Sequence, residues 1–304
     1  MMQCDLLIVG CGPAGMMAAI YAKRANKKII ILDKGNPGGR VLSTYKVDNY
    51  LGFSRVSAEE LVSKMINHLR DLEIEDTYGD VLDIAFNDGL YTVTTDIGIY
   101  SAKAVIIASG TEPRPLGVNG ERQYLSRGLS YCAVCDGIFF ENKDVIVVGG
   151  GDSALEESIY LSEIAKSVTI IHDLPQLTAS AGLINRVKKN PKISLLHHTK
   201  VITLQGNPFI ESVIVKNLDD LGEKTITTEG VFVYVGNLPR TDFIKKLDVI
   251  DQAGFITVNS EMQTRMPGLF ACGDVTKKDY RLIATAISDG AIAALSAVKY
   301  IDLL

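Results

Sequence analysis

A strand, a glycine-rich turn and a helix occur in that order twice in this chain, and the duplication restricts the fold before any other feature is weighed. Asp5-Leu-Leu-Ile-Val9 is a short apolar run with the character of a buried strand. It passes directly into Gly10-Cys-Gly12-Pro-Ala-Gly15 and then into small residues, 16–25, that suit a helix. Each glycine has a separate job in such a turn. Gly10 permits the tight bend, Gly12 lets the backbone approach a pyrophosphate, and Gly15 lets helix and strand pack closely, with the helix N-terminus facing the negative charge. A second strand, 28–32, ends at Asp33, near the spacing at which a carboxylate grips a ribose hydroxyl. The same order returns at Asp144-Val-Ile-Val-Val148, Gly149-Gly150-Gly151-Asp-Ser-Ala154, a helix to about Ile164 and a strand at 168–171. The fold class is therefore α/β, with two Rossmann-like units. A simpler reading of the second turn, as a packed strand-to-helix bend without a ligand, stays open.

Between the two units, 81–85, 91–95 and 104–107 read as strands, the last ending in Ala108-Ser109-Gly110; Pro113, Pro115 and Pro239 punctuate the pattern. A chain of 304 residues exceeds the usual single core. Beyond the second unit, 201–204, 212–215 and 230–235 read as strands, and a helical run covers about 281–300. The closing elements lack a glycine fingerprint of their own, so they are expected to complete the first domain. This predicts a discontinuous domain, 1–114 and 242–304, with a second domain, 115–241, inserted into it. The net charge of −5, with Lys and Arg dispersed among acidic residues, gives no electrostatic case for nucleic acid. The apolar N-terminus lacks a basic leader and runs into the first glycine turn, which neither a signal peptide nor a membrane span would carry. We expect a cytoplasmic protein.

Chemistry is signalled by Cys132-Ala-Val-Cys135-Asp136-Gly137, just ahead of the second unit's first strand. Two thiols at this spacing can close a disulfide, which accepts two electrons and passes them on by thiolate attack through a mixed disulfide. Asp136 could carry the proton. Zinc normally needs four ligands, and no second Cys or His pair at ligand spacing follows; no metal is expected. Cys4, Cys11 and Cys272 stand alone, as small packing residues do.

Taken together, these motifs resemble the low-molecular-weight, FAD-dependent thioredoxin reductases over essentially the whole chain. The similarity runs in order through the first fingerprint, Gly38-Gly39-Arg40, Asp48-Asn49, Ala108-Ser109-Gly110, the CxxCDG box, the second fingerprint and Ala271-Cys272-Gly273-Asp274. The resemblance implies an outer domain holding FAD, an inserted pyridine-nucleotide domain carrying the redox disulfide, and a homodimer. It places Gly10, Gly12, Ala14 and Gly15 around the FAD pyrophosphate and Asp33 on the adenosine ribose. Val81 would lie near the adenine, and Gly39, Arg40 and Asn49 in the flavin and ribityl region. Asp274 would meet the ribityl chain, Gly110 and Gly273 would also border the cofactor, and Arg281, Leu282 and Ile283 would start a helix facing the flavin. It further implies that Cys135 takes electrons from flavin, Cys132 attacks the disulfide of thioredoxin, and Asp136 transfers protons. The segments near 112–116 and 237–241 would be hinges. A dithiol oxidase using dioxygen and a flavin redox sensor are the rival readings on the same scaffold.

One departure concerns the electron donor. Family members using NADPH carry His-Arg-Arg and a further Arg after the second strand of the inserted domain. This chain reads His172-Asp173-Leu174-Pro175-Gln176-Leu177-Thr178, with a carboxylate where the first arginine belongs. This resembles the ferredoxin-dependent flavin thioredoxin reductases, which lack the arginine motif. Lys277, Lys278 and Arg281 offer a basic docking face for an acidic ferredoxin. The expected order of donors is ferredoxin, then NADH, then NADPH.

Overall fold

The computed structural model describes residues 2–44 and 46–304. It contains two compact units: Met1–Leu42, Lys46–Glu112 and Leu238–Leu304 in the first, Ser43–Tyr45 and Pro113–Asn237 in the second. These breaks fall a few residues before the expected 114/115 and 241/242. The crossing segments, Thr111–Pro113 and Asn237–Pro239, are short strands that pair with each other.

In the first unit, Asp76–Tyr78, Ile29–Asp33, Met2–Val9 and Ile99–Ile107 lie side by side and parallel. Leu6, Leu7 and Ile8 are fully buried, as expected of a strand covered on both faces. Ile99–Ile107 forks. Its early residues pair antiparallel with Leu90–Thr95, which pairs with Val81–Asn87, while Val105, Ile106 and Ile107 pair parallel with Leu269–Ala271.

The first glycine turn opens the helix Pro13–Arg24. This helix begins three residues ahead of the expected 16, because proline at the first helical position forgoes only an N–H that has no intrahelical partner. The long helix Ile283–Asp302 packs against it so closely that a Cβ on Gly290 would lie 2.1 Å from the carbonyl oxygen of Ala14. A helix at Ala58–Asp71 is an addition to the expected elements. Ser57 caps it, its Oγ accepting the Glu60 N–H at 3.1 Å.

The second unit holds five parallel strands in the order Leu129–Ser130, Gly230–Val233, Asp144–Val148, Ser167–Ile171, Ile193–Leu196. Thr199–Gln205, Ser212–Asn217 and Glu223–Thr227 make a separate antiparallel sheet. Phe140 packs edge-on against Phe232 with ring centres 5.2 Å apart. A Cβ on Gly230 would lie 2.4 Å from the Phe140 ring, so this glycine lets the segment after the CxxC box seat on the sheet. Among the described residues, no helix is long and apolar enough to cross a membrane.

Candidate active site

Backbone approach is the organising constraint of the first glycine turn. Gly10 has φ +108°, and a Cβ there would sit 2.3 Å from the carbonyl oxygen of Ala108; one on Gly15 would sit 1.9 Å from that of Gly10. Gly12 differs, since a Cβ there would meet nothing within 4 Å. Gly12 therefore faces open space at the N-terminus of a helix with no side-chain cap, and Gly39, at φ +55°, borders it. Asp33 closes the turn from the neighbouring strand, its Oδ2 accepting the Cys11 N–H at 2.6 Å and its Oδ1 the Gly35 N–H at 2.8 Å. A cavity of about 320 Å³ in this unit is lined by Gly10, Asp33 and Val81, among others. These three sequence-predicted residues thus share one wall-forming set.

At the other end of the cradle, Asp274 is largely buried and its Oδ1 has no hydrogen-bond partner. Burial pushes its pKa up, partly opposed by Lys278, Arg281 and Arg40. A buried carboxylate oxygen without a donor fits a ligand that brings hydroxyl groups, as the ribityl chain of FAD does. Gly273, at φ +76°, lies against Ala14 and receives no side chain without collision. The N-terminus expected at 281–283 is shifted: Leu282 is the N-cap and Ile283 the first helical residue. Arg281 lies outside the helix, its guanidinium over the Phe255 ring at 4.3 Å and its Nε donating to the Asp274 carbonyl at 3.3 Å. Gly110 accepts the Arg240 N–H at 3.1 Å through its carbonyl. Asn49 is exposed on the loop joining two short strands. Arg40 lies in the short 3₁₀ turn Gly39–Ser43. The residues present fit FAD, with the glycine turn for pyrophosphate, Asp33 for ribose and Asp274 for the ribityl hydroxyls.

Cys132 and Cys135 are joined in a disulfide, with Cys135 exposed and Cys132 partly buried. The edge strand Leu129–Ser130 delivers the pair to the end of the parallel sheet, where Ala133–Asp136 makes one helical turn. Cys132 caps that turn, its Sγ accepting the Cys135 N–H at 3.2 Å. Two residues outside the expected set hold the box. Buried Ser130 donates through Oγ to Asp136 Oδ2 at 2.6 Å and accepts the Cys132 N–H at 3.0 Å; the Tyr234 hydroxyl accepts the Ala133 N–H at 2.8 Å. A signal for Ser130 did exist, as a hydroxyl residue at a strand end two positions before the first Cys. None existed for Tyr234, more than ninety residues away in sequence. The other cysteines are buried, and burial raises the pKa of Cys4 to about 12 and those of Cys11 and Cys272 further still. They stay protonated and unreactive, which leaves thiol chemistry to the CxxC pair.

The proposed ferredoxin face is largely committed elsewhere. Lys278 is ion-paired with Asp289, both side chains mostly buried, and Arg281 lies on Phe255. Of the three basic residues, Lys277 is exposed.

A fold with two glycine-turn units and a redox CxxC defines a class, and comparison with known proteins agrees. The family described as pyridine nucleotide-disulphide oxidoreductase matches residues 4–290, and the chain belongs to that family. It is similar to the thioredoxin reductase of Listeria innocua, 40% identical over 299 residues that make up 98% of this chain and 94% of that protein. The crystal structure of Lactococcus lactis thioredoxin reductase matches with TM-score 0.97 and 40% identity, covering 99% of this chain and 100% of the other. A ferredoxin-flavin thioredoxin reductase from Clostridium acetobutylicum is more distant, at TM-score 0.56 and 27% identity, with 99% of both chains covered. Within its family this chain is thus an enzyme of thioredoxin reductase type, a flavoprotein disulfide oxidoreductase.

Proposed function

We propose that the enzyme reduces the disulfide of thioredoxin or a thioredoxin-like protein, drawing electrons through FAD onto the Cys132–Cys135 disulfide. The observation that carries this reading is the CxxC disulfide with Asp136 held beside it by Ser130. Bound FAD would supply two electrons per cycle. Two electrons and one proton would open the Cys132–Cys135 disulfide to a thiolate at Cys132 and a thiol at Cys135, whose proton later goes to the second partner sulfur. The Cys132 thiolate then attacks one sulfur of the partner disulfide, forming a mixed disulfide; the sulfur it displaces takes a proton, for which Asp136 is the nearby carrier. Cys135 next attacks Cys132, which releases the second partner thiol and restores the disulfide. Two electrons and two protons have passed to the partner.

As to the donor, NADPH is the poorest fit, since the segment after the second unit's second strand offers no arginine. Ferredoxin was expected first because it needs only a basic docking face and no nucleotide pocket, but with Lys278 and Arg281 engaged internally that face rests on Lys277. NADH therefore moves ahead of ferredoxin. A homodimer and a cytoplasmic location accompany the reading by analogy with the family.

The test uses FAD-loaded enzyme reduced chemically by two electrons per flavin under anaerobic conditions and then mixed with oxidised thioredoxin. New thioredoxin thiols should appear at two per flavin reoxidised. Thioredoxin left oxidised in this run, with fast flavin reoxidation when air is admitted to a parallel sample, would support the dithiol oxidase instead. Separate mixing with reduced ferredoxin, NADH and NADPH, followed by flavin bleaching, ranks the donors.

A further inference from the structure

The second glycine turn repeats the first down to individual hydrogen bonds. In the first unit Val9 pairs with Leu32, which sets Asp33 opposite Gly10; in the second Val148 pairs with Ile171, which sets His172 opposite Gly149. Gly38 donates its N–H to the Cys11 carbonyl at 2.8 Å, and Thr178 donates its N–H to the Gly150 carbonyl at 2.9 Å. Cys11 and Gly150 are therefore equivalent, as are Asp33 and His172.

The two turns diverge at the strand end. Asp33 in the first unit reaches the Cys11 amide with a carboxylate. At the equivalent place in the second unit lies the buried ring of His172, so near that a Cβ on Gly150 would be 2.5 Å from three of its atoms. Only glycine admits the imidazole there. His172 Nε2 faces the Gln176 carbonyl oxygen at 3.0 Å. A carbonyl only accepts, so Nε2 carries the proton and the ring is tied to its own following turn. Two more bonds brace this segment against the glycine turn, from Thr178 N–H to the Gly150 carbonyl and from Ser180 N–H to Asp152 Oδ1 at 2.6 Å.

The carboxylate that the first unit has at the strand end has thus moved one residue on, to Asp173. Its side chain is 63% exposed, and its Oδ1 lies 3.6 Å from His172 Nδ1. From Asp173 to Gly182 the sequence contains no Lys or Arg. A ribose bearing a 2′-phosphate would meet a carboxylate with no cation supplied by this segment, whereas a ribose bearing a 2′-hydroxyl would meet a hydrogen-bond acceptor. Gly151 starts the helix Asp152–Ile164 without a side-chain cap.

We propose that the inserted unit selects the unphosphorylated dinucleotide, with Asp173 accepting from the adenosine ribose hydroxyls of NADH and rejecting the 2′-phosphate of NADPH, on a loop pinned by His172. This rests on reading the chain as a nucleotide-using disulfide reductase.

The experiment is calorimetric titration of the FAD-loaded, full-length enzyme with NAD⁺ and NADP⁺, so that no electrons move. NAD⁺ should bind about 100-fold more tightly than NADP⁺, a ratio on the scale of one or two charge-assisted contacts. Asp173→Asn, at an exposed position, should keep its FAD and shrink that ratio about tenfold. Asp173→Arg combined with Leu174→Arg should favour NADP⁺. Tighter binding of NADP⁺ by the parent enzyme, a ratio untouched by Asp173→Asn, or no binding of either nucleotide at millimolar concentration would overturn the proposal. Thioredoxin reduction by chemically reduced enzyme needs no nucleotide, so failure there would strike the functional reading separately.

Discussion

Ser130 Oγ donates to Asp136 Oδ2 at 2.6 Å while accepting the backbone N–H of Cys132 at 3.0 Å, so one buried hydroxyl ties the Asp136 carboxylate to the backbone of the disulfide-bonded Cys132. Ser130 is a positioning residue in this arrangement. Ser130→Ala should slow thioredoxin reduction about tenfold with FAD retained, a fraction of what full proton-transfer catalysis supplies. Ser130→Thr should restore most of the rate. Placed on Asp136→Asn, the alanine change should add little, because both act through one carboxylate. Fully additive losses in that cycle would show that Ser130 merely supports the fold.

The two cysteines should give unequal phenotypes although they share one bond. Cys132→Ser leaves Cys135 free, and a thiolate next to oxidised flavin donates charge and gives a long-wavelength absorption band. Cys135→Ser should lack the band. Both variants should bind FAD and lose turnover. A band in Cys135→Ser alone would exchange the roles assigned to the pair.

How much of this was legible in the sequence depends on how local each determinant is. The glycine turns were legible because their constraints act within a few residues: Gly10, Gly12 and Gly15 sit where a bend, an open face and a close packing contact require them. Asp33 and Val81 were legible through spacing and resemblance, and both line the same cavity. The helix Ala58–Asp71 had a local signal as well, Ser57 followed by Glu60, of the kind that marks a helix start. By contrast, nothing local announces that Tyr234 reaches Ala133, or that Arg281 stacks on Phe255. Those contacts depend on which strand ends the topology brings together. The basic face inferred for ferredoxin is narrowed to Lys277 for the same reason, because a string of charges does not reveal that Lys278 is already paired with Asp289.

Glu157 gives a prediction about pH and stability. It lies buried in the helix Asp152–Ile164 with Oε2 unpartnered, and burial, reinforced by Glu156, raises its pKa to about 8. The folded state thus keeps a proton that the unfolded chain loses in the ordinary glutamate range. Between that range and about pH 8 the unfolded state binds fewer protons, so this residue lowers stability as pH rises, with the loss complete above pH 8. Its size is on the order of 5 kcal/mol. Glu157→Gln removes the titration. The variant and the parent should melt together near pH 4, and the variant should melt several degrees higher near pH 8.5. Scanning calorimetry at both pH values decides it, and melting curves that stay parallel would remove Glu157 from the account.

Asp274 yields two effects of opposite sign from one substitution. Its Oδ1 is buried with no donor, and burial raises its pKa, so the carboxylate is uncomfortable until a ligand hydroxyl reaches it. Asp274→Ala should therefore stabilise the flavin-free protein, by about 1 kcal/mol on the scale of an unsatisfied buried group. The same change removes an acceptor from the FAD cradle. A hydrogen bond to a charged group contributes about 1.5–3 kcal/mol, so FAD affinity should fall by roughly 10- to 150-fold. Stripping the flavin, recording the melting temperature of each apoprotein, and titrating FAD back while following its fluorescence measures both effects. A less stable apoprotein would mean that Asp274 has a protein partner it cannot lose. Unchanged FAD affinity would mean that the ribityl chain lies elsewhere.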